Sequence, residues 1–122
     1  MYYNALIIGY GSIGKKHFDI LSKSPNIKSI YILTRQKIKN SIKDLNQAKN
    51  LHINFIIICS ETHKHIVHLK WIENNFKNIK VLVEKPLFHK FLDIKLRNNK
   101  YFIGYNMRFN PLIQRIKKIL GK

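Results

Sequence analysis

Gly9, Gly11 and Gly14 stand in the run ALIIGYGSIG at the spacing G-x-G-x-x-G. That spacing suits a turn that cradles a pyrophosphate. Gly9 permits the tight turn, Gly11 the close approach of backbone to phosphate, and Gly14 the packing of a helix on the preceding strand. The amides of Ser12 and Ile13 would point at the anion from a helix N-terminus, where unpaired donors and the dipole favour negative charge. A glycine-rich turn without a ligand is the alternative, because so short a pattern recurs by chance. About twenty residues beyond such a turn, an acidic residue is expected to hold the ribose diol of NAD. Thr34-Arg35-Gln36 stands there instead. A guanidinium fork pairs with phosphate, so Arg35 favours the 2′-phosphate of NADP over the free diol. A surface arginine at a strand end is the other reading. His63, His65 and His68 suggest metal ligands, and His65 and His68 can share a helical face. With no carboxylate or cysteine partner evident nearby, solvent-facing or cofactor-lining histidines are expected and a metal is not.

These residues need elements to position them. Tyr3 to Ile8 is an apolar, β-prone run ending at Gly9, which predicts a buried parallel strand. Phe18 and Leu21 then follow at helical spacing until Pro25-Asn26. Further strands are predicted at Ile27 to Leu33, Phe55 to Cys59, Lys80 to Val83 and Tyr101 to Gly104. Between Thr34 and Asn54, Ile38, Ile42 and Leu45 predict a short amphipathic helix. A helix is predicted from His63 to Phe76, with Ile66, Leu69, Ile72 and Phe76 on one face, and a last one from Pro111 to Leu120. Strand and helix alternate. The expected fold is therefore α/β and Rossmann-type: a doubly wound, mostly parallel sheet with helices on both faces. With that context, nucleotide binding outweighs an empty glycine turn.

Composition narrows the classes. The chain has 122 residues, and 45% of them are apolar, enough for one domain with a modest core. One cysteine, Cys59, excludes an intramolecular disulfide framework. No secretory signal or membrane span is read, so a cytoplasmic protein is expected. The net charge of +17 suggests nucleic acid as a partner. Its lysines are spread along the chain, however, and isoleucine and asparagine are inflated as well, as AT-rich codons would produce. A solvated lysine surface is the expectation: non-specific attraction to polyanions at low salt, and no specific nucleic acid.

Three further segments complete a pattern: CSETHKH (59–65), VLVEKPL (81–87) and FIGYNMRFNP (102–111). With the glycine turn, their order resembles the N-terminal domain of the glucose–fructose oxidoreductase / inositol dehydrogenase / MocA-like (Gfo/Idh/MocA) family. The resemblance covers essentially the whole chain, residues 1–122. It implies that Lys85 is the catalytic lysine near the nicotinamide, where an ammonium can hydrogen-bond and polarise a substrate hydroxyl during hydride transfer. Pro86 would fix the turn that aims it. Glu84 would orient the nicotinamide end, while Ser60, Glu61 and His65 would lie beside the cofactor. The family often has proline or asparagine at the position of Glu61. Asn106 and Arg108 would reach the ligand edge of the sheet. Arg108 would meet an anionic or polyhydroxyl substrate, or else tie strand to helix.

The family continues into a large α/β domain that supplies most substrate contacts, and usually a histidine partner for the lysine. That domain is absent from this sequence. The implied function is a dinucleotide-binding domain, for NADP or NAD, of an oxidoreductase acting on a sugar or cyclitol hydroxyl. It is expected to be truncated and inactive alone, with a sugar-like substrate taken only when a C-terminal domain is supplied. Self-association or a partner chain would cover the exposed face. A non-catalytic nucleotide-binding module, or one subunit of a split enzyme, is the alternative.

Overall fold

The computed structural model describes residues 2–84, 96–104 and 112–121. Their elements are β1 (Tyr3–Ile8), α1 (Ser12–Ser22), β2 (Ile27–Leu33), β3 (Ser41–Ile42), a 3-10 helix (Leu45–Asn50), β4 (Phe55–Ile58), α2 (Thr62–Asn75), β5 (Lys80–Val83), β6 (Lys100–Ile103) and α3 (Leu112–Leu120). The sheet is six-stranded, ordered β3-β2-β1-β4-β5-β6, and every pair is parallel.

The apolar runs of the central strands follow from burial on both faces. Successive side chains point to opposite sides. Ala5, Ile7, Phe55, Ile57 and Leu82 pack on one face with Leu21 of α1 and with Ile116, Ile119 and Leu120 of α3. Leu6, Ile8, Ile56, Ile58, Val81 and Val83 pack on the other with Ala48 of the 3-10 helix and with Leu69 and Ile72 of α2. Helices therefore cover both faces of a Rossmann-type α/β sheet. The winding reverses between β1 and β4, and the C-terminal ends of those strands flank the crevice where such folds take ligands.

One predicted element is corrected. Residues 34 to 54 hold no amphipathic α-helix; they form the short strand β3 and a 3-10 helix. Ile38 packs on the α1/α3 face of the sheet, whereas Ile42 and Leu45 pack on the α2 face. A single helical stripe cannot serve both. Asn40, at φ 61°, breaks the chain between them, and Asp44 then caps the 3-10 helix in a reciprocal box with Gln47. The sheet gains an edge strand that spacing alone does not predict. Among the described residues, no helix is long and apolar enough to cross a membrane.

Candidate functional site

The three glycines do different work. Gly9 has φ 96°, and a Cβ there would lie 3.0 Å from the backbone of Cys59 and Ser60. It lets the ends of β1 and β4 touch. A Cβ on Gly14 would lie 2.3 Å from the Gly9 carbonyl oxygen, so Gly14 seats α1 on the turn. Gly11 differs: a Cβ there would meet no atom within 4 Å, and its φ of −81° suits any residue. The protein's own packing requires the first and third glycines but not the second. Open space in front of a glycine at a helix N-terminus is what a phosphate cradle needs.

The helix end supports that reading. Gly11 is the N-cap of α1, with no side-chain cap and no acidic residue in the first turn. The first intrahelical bond runs from the Lys15 amide to the Gly11 carbonyl, at 3.0 Å. The amides of Ser12, Ile13 and Gly14 precede it and have no helical acceptor. The Lys15 ammonium lies 5.7 Å from the centre of the Tyr10 ring, so positive charge gathers beside the turn. Pyrophosphate fits these residues by charge, donors and space.

At the end of β2, Thr34 is half-buried and Arg35 exposed. The Lys43 ammonium donates to the carbonyls of Thr34 and Gln36, at 2.9 and 2.6 Å, and the Gln36 side chain donates to the Tyr10 carbonyl at 3.1 Å. This loop is thus tied to the glycine turn and presents cationic side chains without a carboxylate.

At the end of β4, two histidines brace the chain. His65 is 1% exposed, and its Nε2–H donates to the Ser60 carbonyl at 2.7 Å. His68 Nδ1 and Ser60 Oγ share a hydrogen bond of 2.8 Å. Burial, together with His65 and Lys64, pushes the His68 pKa down to about 4. Burial also lowers that of His65, against the hydrogen bond to Ser60 and the charge of Glu84. Both rings are therefore neutral at physiological pH. Glu61 and His63 are exposed and pair at 3.3 Å. Burial, and secondarily Glu84, raise the pKa of the Cys59 thiol. Among the described residues, no three His, Cys, Asp or Glu side chains are grouped to hold a metal.

At the end of β5, Glu84 is 3% exposed. Its Oε1 accepts a hydrogen bond from His17 Nε2 at 3.0 Å and lies 3.1 Å from Arg115 Nη1. Burial works against its negative charge, but the His17 bond and the charges of His17 and Arg115 outweigh it, so the carboxyl stays below the usual range.

Because the strands are parallel, Gly9, Gly11, Ser12, Ile13, Gly14, Thr34, Arg35, Ser60, Glu61, His65 and Glu84 gather along one edge of the sheet. Gly11, Ser12, Arg35 and Glu61 face solvent there, whereas the His65 ring and the Glu84 carboxylate turn into the protein. Lys85, Pro86, Asn106 and Arg108 lie outside the described residues. Sequence reasoning missed His17, Arg115 and Lys43. The first two left a signal. His17 stands with Gly14 and Leu21 on the buried stripe of α1, and Arg115 beside Ile116 and Ile119 on that of α3. A polar side chain on an apolar stripe asks for a buried partner.

The geometry agrees with the relatives. Residues 3–96 match the family model described as an oxidoreductase family with an NAD-binding Rossmann fold, GFO_IDH_MocA. No curated protein matches the chain in sequence. Among solved structures, myo-inositol 2-dehydrogenase from Lactobacillus plantarum superposes with a TM-score of 0.73 at 20% identity, covering 99% of this chain and 41% of that one. The dehydrogenase MviM from Clostridium difficile gives 0.73 at 25% identity, over 97% of this chain and 44% of that one. Scyllo-inositol dehydrogenase from Lactobacillus casei, solved with NAD(H) and scyllo-inositol, gives 0.72 at 20% identity, over 99% and 41%. The chain thus spans less than half the length of these structures. A parallel sheet wound in this order, a glycine turn open to phosphate, and a family match over most of the sequence agree: the chain belongs to the Gfo/Idh/MocA oxidoreductase family and carries its NAD-binding Rossmann fold.

Proposed function

We propose that this chain binds a nicotinamide dinucleotide for an oxidoreductase that acts on a hydroxyl-bearing carbon of a sugar or cyclitol. The observation that carries this is Gly11, a glycine that the fold does not require, beside unpaired amides and open space. The inositol dehydrogenases among the structural neighbours support the substrate class. The amides of Ser12, Ile13 and Gly14 would hold the pyrophosphate, and the loop at Thr34 and Arg35 the adenosine ribose. When bound, the nicotinamide supplies the hydride acceptor. Lys85, next to Glu84 in sequence, would hydrogen-bond the substrate hydroxyl and assist removal of its proton.

We further propose a preference for NADP. Arg35 is exposed at the end of β2, Lys43 holds the same loop, and no carboxylate stands there to pair a diol. Calorimetric titration with NADPH and NADH, at moderate salt to suppress non-specific phosphate attraction, tests both claims. The expected result is tighter binding of NADPH, with the preference lost in Arg35→Ala. Equal affinity of the wild type for the two cofactors would remove the NADP assignment, and binding of neither by folded protein would remove the function.

A further inference from the structure

The buried network around Glu84 ties parts of the chain that the dinucleotide would bridge. His17 lies on α1, the helix whose N-terminus faces the phosphates. Glu84 closes β5, and Arg115 lies on α3. Gly104, after β6, packs on the same point: a Cβ there would lie 3.2 Å from Glu84 Oε2 and 3.3 Å from its Cα. All three residues are buried. His17 Nδ1 and Arg115 Nε have no hydrogen-bond partner among the described residues. Arg115 Nη1 sits 3.1 Å from the carboxylate.

A dinucleotide lies across two mononucleotide halves, one built on β1 to β3 and the other on β4 to β6. Glu84 belongs to the second half and His17 to the first. We infer that His17, Glu84 and Arg115 are positioning residues: they register the end of β5 against the phosphate-binding helix, so that the nicotinamide half of the cofactor meets a preformed surface. The phosphate end does not depend on them. It is held by Gly9 and Gly14 against the ends of β1 and β4, and by Leu21 in the core. Loosening the clamp should therefore weaken contacts to the nicotinamide and spare those to the rest of the cofactor. A residue that only stabilised the fold would affect both alike.

This inference rests on the proposed dinucleotide site, and its test separates the two. NADPH and 2′-phospho-ADP-ribose, which lacks the nicotinamide, are titrated into wild type, Glu84→Gln and the double variant Glu84→Gln/Arg115→Met. The double variant removes both buried charges and keeps the protein folded if the single change does not. The clamp predicts that NADPH affinity falls by about tenfold while that of the fragment stays within about twofold. The fluorescence change of the reduced nicotinamide on binding should shrink as well. Parallel loss of both ligands, or loss of neither, in a folded variant overturns the clamp and leaves the dinucleotide site standing. Wild-type protein that binds neither ligand overturns the site and the clamp together.

Discussion

Glu73 and Glu84 are two buried carboxylates in a chain with six acidic residues, and they are satisfied in opposite ways. Glu73, near the end of α2, accepts from the amides of Arg97 and Asn98 at 2.6 and 2.8 Å and from the Tyr101 hydroxyl at 2.8 Å. Its donors are neutral, and they pin the chain entering β6. Burial raises its pKa, but these bonds together bring it below the ordinary value. Glu84 meets a guanidinium and an imidazole from two helices. The first carboxylate ties α2 to the chain entering β6. The second links distant elements beside the ligand edge. The contrast is one of chemistry: neutral donors hold Glu73, whereas an imidazole and a guanidinium from two helices hold Glu84.

The sharpest way to break the comparison is truncation. Glu84→Ala leaves Arg115 buried without its counter-charge and should cost about 3–5 kcal/mol in denaturant unfolding. Glu73→Ala strands part-buried neutral donors and should cost about 1–3 kcal/mol. Equal costs would contradict the distinction drawn here. Restoring neutrality sharpens it: adding Arg115→Met to Glu84→Gln should recover much of the stability lost by Glu84→Gln alone. Among the described residues, Glu73 has no partner charge whose removal could do the same.

Acid titration of stability should then show two windows. His65 and His68 have lowered pKa values, so the unfolded chain takes their protons first. Stability should decline as pH falls from about 6.5 towards 4. Glu73 and Glu84 are also lowered, but as carboxylates they stabilise while ionised. Their contribution is present above about pH 4.5 and is lost as pH falls through their folded values. His68→Gln should flatten the upper window and leave the lower one. The smallest effect concerns Cys59. Its raised pKa predicts alkylation by iodoacetamide slower in the native protein than in denaturant at the same pH.

Much of this was legible in the sequence. The apolar runs at β1 and β5 give those strands to the residue, because a strand buried on both faces leaves no alternation to misread, and the β-branched run of β2, largely half-buried, gives that strand as well. The glycine turn was legible because strand and helix flank it. The segment from Thr34 to Asn54 was not. Ile38, Ile42 and Leu45 mimic a helical stripe, while the positive φ at Asn40 and the assignment of these side chains to opposite sheet faces are set by tertiary packing. The histidines were read by type, as solvent-facing or cofactor-lining. Their role in bracing Ser60 depends on which way the rings turn, which spacing does not encode. Glu84 was read from the resemblance carried by the Glu-Lys-Pro motif, as orienting the nicotinamide end. Its burial against His17 and Arg115 depends on partners 67 residues before it, for His17, and beyond β6, for Arg115.

The central claim is that the turn from Gly9 to Gly14 holds the phosphates of a dinucleotide, and Gly11→Val tests it most directly. The side chain enters open space, so the folded protein and its unfolding midpoint should be unchanged. NADPH affinity, measured by titration calorimetry at moderate salt, should fall by about tenfold or more relative to wild type. Equal affinity in the two proteins, with both folded, would contradict the account.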